Sequence, residues 1–219
     1  MKRFILVTVL LAAVSVFTVH PAQAVDLAGK WAVGARVSYA DPIDDTVQGI
    51  DVEFDGTPLI EANLAYHFNS VFSIELGVGY LSSDIQVKAS GVSLEFGEIT
   101  QVPVLLTLRA HIPTGGSIVP YVGAGVGYYF NDFDFSNLFN AAFAAIQVNN
   151  ARGEVDDSFG FHVNGGVDVF VTDSVALNLD LKYIWNQVDF TFSAAGVAPV
   201  TSEFDVDVFT AGVGLKFLF

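Results

Sequence analysis

The closing stretch Thr210-Ala211-Gly212-Val213-Gly214-Leu215-Lys216-Phe217-Leu218-Phe219 decides the fold. Phe209, Ala211, Val213, Leu215, Phe217 and Phe219 share one parity, and Thr210, Gly212, Gly214 and Lys216 share the other. Successive side chains on a strand point to opposite faces, so one face here is greasy and the other small or polar. A strand of a transmembrane barrel has this pattern, apolar toward lipid and polar toward the lumen.

Seven upstream segments repeat it, each of roughly ten residues, the length of a tilted membrane-spanning strand. They are Trp31–Tyr39, Leu59–Phe68, Phe72–Tyr80, Gln101–Ile112, Pro120–Phe130, Phe159–Phe170 and Val175–Trp185. In Val175–Trp185, for example, Val175, Leu177, Leu179, Leu181, Tyr183 and Trp185 alternate with Asn178, Asp180 and Lys182. A soluble β-sandwich alternates as well. Here, however, the polar parity carries opposed charges and glycines, while the apolar parity is nearly free of polar atoms. The fold class read from this is all-β: an eight-stranded antiparallel transmembrane barrel.

Composition points the same way. The chain is 52% hydrophobic with a mean hydropathy of +0.51. After residue 24, however, no apolar run reaches the ~18 residues of a membrane helix. Backbone inside a bilayer must pair all its polar groups, which leaves helices or closed barrels. Lys2 and Arg3, the apolar Phe4–Val19 and Ala22-Gln23-Ala24 read as a signal peptide over residues 1–24, with the barrel domain over 25–219. Beyond residue 24, seven bases face 24 acids, a net charge of −17. Such a surface repels nucleic acid, and the absence of cysteine excludes disulfides and thiolate chemistry.

Connection lengths alternate. Asn69-Ser70-Val71, Pro113–Ser117 and Val171-Thr172-Asp173 are tight turns, whereas Ala40–Pro58, Leu81–Thr100, Asn131–Ser158 and Asn186–Asp205 are long. Short turns belong to the periplasmic side and long loops to the outside, so both termini face the periplasm. Within the loops, Ile85–Val87 and Val92–Phe96 keep a period of two and extend a hairpin beyond the bilayer. Phe135–Val148, with Phe135, Leu138, Phe139, Ala142, Phe143 and Ile146 at helical spacing, reads as a short helix capping the third long loop.

With the segments placed, the chain resembles the OmpW family of outer-membrane barrels. Gly29-Lys30-Trp31-Ala32-Val33-Gly34-Ala35-Arg36 followed by Asp41-Pro42 is similar to that family's opening strand. Pro120-Tyr121-Val122-Gly123-Ala124-Gly125 is similar to its fifth, and Gly165-Gly166-Val167-Asp168 and Asp180-Leu181-Lys182-Tyr183 to its sixth and seventh. The barrel so read is expected to be a monomer, and the resemblance implies the Gram-negative outer membrane, among lipid and lipopolysaccharide. It also implies a small hydrophobic ligand. The terminal Phe219 resembles the signal by which such chains engage the barrel-assembly machinery.

An eight-stranded barrel is only wide enough for its own side chains. Arg36, Glu61, His67, Glu75, Arg109, His111, Asp168, Asp180, Lys182 and Lys216 all fall on the inward parity. Unpaired buried charges are costly, so these groups are expected to pair into a plug. A proton or ion pathway is the alternative use for them. Leu59, Leu105, Tyr129, Ile184 and Val208 are inward and apolar toward the extracellular ends of their strands, forming a cup above the plug. Pro103 lacks an N–H and removes a rung from the fourth strand, as a lateral gap or at a bulge.

Two functions follow. One is a narrow channel or receptor for small hydrophobic molecules held by the cup. The other is a structural or surface-interaction barrel whose loops contact host, phage or neighbouring cells. No enzyme constellation, cofactor motif or metal spacing is present: no serine is matched by sequence to His67 or His111. Asp41, Asp44, Asp45, Asp51, Glu53 and Asp55 lack the order of a calcium loop and read as a solvated acidic face.

Overall fold

The first and last strands pair with each other, and that pairing closes the sheet. In the computed structural model, Ala32 lies opposite Leu218 and Pro42 opposite Val208 in one unbroken antiparallel register. The structure describes residues 25–219 except 44, 48–49, 55, 90–91, 146–151 and 196; side chains are also not described for 45–54, 87–94, 143 and 197. The signal-peptide assignment, the carboxylates Asp44 to Asp55 and the helical positions Phe143 and Ile146 lie outside what is described.

In chain order the strands are β1 (Trp31–Pro42), β2 (Asp45–Val47), β3 (Ile50–Phe54), β4 (Thr57–His67), β5 (Phe72–Ala89), β6 (Val92–His111) and β7 (Ile118–Phe135). Helix α1 (Asn137–Ala145) follows. The remaining strands are β8 (Arg152–Val155), β9 (Ser158–Phe170), β10 (Val175–Trp185), β11 (Gln187–Ala194), β12 (Val197–Asp205) and β13 (Val208–Leu218). Eight of them form the barrel in the circular order β1-β4-β5-β6-β7-β9-β10-β13, every neighbour antiparallel. β2 and β3 extend one wall above the barrel, and β8, β11 and β12 form a separate three-stranded sheet.

The tight turns follow from their side chains. Asn69 Oδ1 accepts from the backbone N–H of Val71 and Phe72, at 2.8 Å each, fixing the β4–β5 turn. Thr172 Oγ1 does the same for Ser174 and Val175 between β9 and β10. Gly115, at a φ of 73°, supplies the left-handed residue between β6 and β7. Inside the barrel, Gly125 is required by close approach, because a Cβ there would run into the Leu106 carbonyl.

Alternation holds around the barrel. Trp31, Val33, Val37 and Tyr39 of β1 are exposed on the lipid face, and Arg36 and Ser38 between them are buried. The segments read as long loops are more ordered than that reading. Leu81–Thr100 is largely strand, with β5 and β6 paired from Phe72↔Ala110 to Ala89↔Val92. β7 runs on to Phe135, so the helix begins later than expected, at Asn137, and Phe135 belongs to the strand. Ser136 Oγ caps the helix by accepting from Phe139 N.

The periplasmic mouth is stoppered. Leu27 is buried among Ala32, Ala65, Val119, Phe170, Ala176 and Leu218. Gly29 N donates to His67 O at 2.9 Å and His67 N to Lys30 O at 2.9 Å, which holds the chain leading into β1 under the barrel floor.

Candidate functional site: a charged plug beneath an apolar cavity

The inward residues at mid-barrel form one connected network. Arg109 makes a two-pronged contact with Glu75, at 2.5 Å through each terminal nitrogen. Arg36 reaches Glu75 at 3.4 Å, Glu61 at 3.5 Å and Asp180 at 3.5 Å. Lys182 holds Glu61 at 3.0 Å, and Lys216 holds Asp168 at 3.0 Å with Glu75 at 3.8 Å. Four bases thus meet four acids, and all eight residues are buried. β-sheet register explains the encounter: Arg36 lies opposite Glu61 across β1–β4, and the other partners reach inward from their own strands.

Tyr121 is the member that sequence reasoning missed. Its hydroxyl donates to Asp180 at 2.7 Å and accepts from Asn178 at 2.9 Å. The Arg109 guanidinium lies 4.5 Å from its ring centre and the Lys216 ammonium 5.2 Å. An aromatic at the periplasmic end of a strand reads as an interface anchor, but its inward parity with Gly123, Gly125 and Gly127 was the available signal.

Toward the periplasm, the His67 and His111 rings lie 5.2 Å apart, tilted at 41° to each other. A serine does meet one of them, contrary to the sequence reading: Ser73 Oγ lies 2.8 Å from His111 Nε2. Register brings them together, because Ser73 pairs with Arg109, two residues before His111. Both groups are buried on the lumen side of the stopper.

Above the plug, Leu105, Tyr129 and Ile184 are buried against one another with Val208 beside them. Leu59 is also buried, and its side chain and that of Pro103 both lie close over Gly79. These five predicted cup residues and Pro103 pack into a floor, because facing side chains fill so narrow a lumen. Open space begins one storey higher. A cavity of about 360 Å³ is walled by Ile85, Phe96, Phe133, Val155, Val188 and Phe190, with Phe139 of α1 at its edge. Of the predicted cup residues, Val208 is the one that also borders it. The walls come from strand extensions beyond the barrel: the period of two was read in the β5–β6 hairpin at Ile85–Val87 and Val92–Phe96, but not in the outer part of β7 or in β11.

Pro103 sits on a specific seam. Across β5–β6, Val78 pairs with Val104 and Leu81 with Gln101 in one register, but Gly79 and Tyr80 form no rung with Pro103 and Val102. The one irregularity in this pairing lies further out, at Ile85/Gln86. The proline therefore interrupts the ladder without a bulge.

The outer-membrane protein β-barrel domain model matches residues 9–217. The chain belongs to that family. It is similar to the crystal structure of OprG from Pseudomonas aeruginosa, with a TM-score of 0.75 at 21% identity, covering 90% of this chain and 98% of that one. The solid-state NMR structure of AlkL in lipid bilayers gives a TM-score of 0.63 at 23% identity, covering 93% of each. By sequence, AlkL of Ectopseudomonas oleovorans is 25% identical over 77% of this chain and 69% of its own. A dibenzothiophene metabolism operon protein of Pseudomonas aeruginosa, PahQ, is 22% identical over 58% of this chain and 56% of its own. OprG and AlkL are OmpW-type barrels, so the resemblance read from the sequence holds, and the outer membrane of a Gram-negative cell is the protein's location.

Proposed function

We propose that this barrel takes up small hydrophobic molecules through its extracellular cavity and passes them sideways into the membrane. The observation that carries the reading is the 360 Å³ apolar cavity above a sealed axis. Its size is that of a small-molecule pocket, generally ~300–1,000 Å³. Beneath it lie the packed floor, the eight-residue charge network and the Leu27 stopper, so the axial route is closed to an apolar solute. The missing rungs at Pro103, next to Leu59 in the floor, offer the alternative exit between β5 and β6. A relative named for dibenzothiophene metabolism agrees with an aromatic-lined pocket.

Few polar anchors imply broad selectivity, since one methylene changes binding by only ~1–3 kcal/mol. The test is uptake of a neutral aromatic hydrocarbon by cells carrying Phe190→Asp, which sets an unpaired charge in the cavity wall, and Pro103→Val, which restores the ladder donor. Phe190→Asp should abolish uptake and Pro103→Val should slow it, with both barrels assembled by heat-modifiable mobility. Wild-type uptake by Phe190→Asp would refute the reading in favour of a surface-interaction barrel.

A further inference from the structure

The charge surplus of this chain lies almost wholly on one side. Within the lumen, Arg36, Arg109, Lys182 and Lys216 balance Glu61, Glu75, Asp168 and Asp180. Asp26, Lys30 and Asp173 stand at the periplasmic end. By chain position that leaves 18 acids toward the extracellular end against Lys88 and Arg152.

Part of this charge abuts the cavity. A polar cleft of about 470 Å³ runs between β7 and β8, where Asp132, Glu154, Asp156 and Asp157 gather. It shares Phe133 and Val155 with the apolar cavity, so one layer of side chains separates the two spaces. Asp157 accepts hydrogen bonds from Asn131 N at 3.0 Å and Tyr128 Oη at 3.3 Å, neutral donors that leave its charge in place.

Among the described residues, the cavity gives an anion no cationic partner: no Lys, Arg or His lines it. Its polar side chains are Thr57, Ser83 and Gln101; Thr57 donates to Ser82 O, and the Gln101 amide donates to Asn131 Oδ1 at 2.8 Å. Lys182, two residues before Ile184 on β10, is held by Glu61 at 3.0 Å. A carboxylate entering this space would lose its water and gain no cation. A cation would instead meet phenylalanine faces and a negative surround.

We propose that the protein sorts apolar molecules by head-group charge, admitting neutral and cationic ones and rejecting carboxylates. The proposal rests on the cavity being the ligand site. Fields of this kind change local concentrations and association rates by ~10-fold or more. They weaken as salt shortens the Debye length to ~3 Å at 1 M.

The experiment uses the whole barrel in zwitterionic nanodiscs and three probes with one apolar body: naphthalene, naphthoate and naphthyl-trimethylammonium. Binding is measured by equilibrium dialysis against empty nanodiscs. Naphthalene and the ammonium probe should bind, and naphthoate should bind at least ~10-fold more weakly in low salt, with the gap narrowing at 1 M. Combining Asp132→Asn, Glu154→Gln, Asp156→Asn and Asp157→Asn should raise naphthoate binding and leave naphthalene unchanged. If that variant does not fold, the salt series on the unaltered chain decides the same point. Naphthoate binding within about twofold of naphthalene in low salt overturns charge sorting while leaving the cavity as the ligand site. Failure of all three probes to bind overturns both.

Discussion

Neutralising Glu75 should destabilise the barrel more than neutralising any single cation around it. Glu75 is the node of the plug: Arg109 holds it at 2.5 Å, Arg36 at 3.4 Å and Lys216 at 3.8 Å. Without it, Arg109 keeps one carboxylate, Asp180, at 3.8 Å. Without Arg109, by contrast, Glu75 still faces two cations. Breaking a buried pair from one side costs ~3–5 kcal/mol, because a charge is left uncompensated in a dry interior. Glu75→Gln should therefore fall at the upper end of that range and Arg109→Gln at the lower end. The double variant restores charge balance, and its cost should fall short of the sum by ~2 kcal/mol, within the usual range for contacting residues. Urea unfolding in vesicles, followed by the fluorescence of the lipid-facing Trp31 and Trp185, measures all three. Additive losses would mean that the groups are separately solvated, and the argument for a dry paired plug would be wrong.

Two more outcomes concern the lipid face of the wall and its lower end. Leu106, exposed on the lipid face of β6 between Leu76 and Val126, should cost ~2–4 kcal/mol as Leu106→Arg. Unimpaired refolding of that variant into liposomes would contradict the register. The absence of native cysteine allows Ala176→Cys, covered by Leu27 at 0% exposure, to report on the stopper. A maleimide added from the periplasmic side should label it slowly in the parent and quickly when Leu27→Gly is added; equal labelling would mean that Leu27 does not seal the mouth.

Strand number, facing and orientation were legible because a bilayer imposes a period-two code at every step: one parity must suit lipid and the other the lumen. The inward charges Arg36, Glu61, Glu75, Arg109, Asp168, Asp180, Lys182 and Lys216 could be named from parity alone. Their pairings could not, since Glu61 meets Lys182 and Glu75 meets Arg36 across the lumen rather than along one ladder. Tyr121 was missed because an aromatic near a membrane interface is usually an anchor. The cavity was placed one storey too low for a related reason. Whether Leu59, Leu105 and Tyr129 line a space or fill it depends on how far facing side chains reach across the barrel, a distance absent from any single strand. Above the membrane the lipid code lapses, so the inward turn of Ile85, Phe133 and Phe190 was set by the pairing of extended strands and the separate β8–β11–β12 sheet. The sequence by itself thus determined the solvent and the barrel. Tertiary structure decided where the barrel is full and where it is empty, because packing is a property of opposed walls.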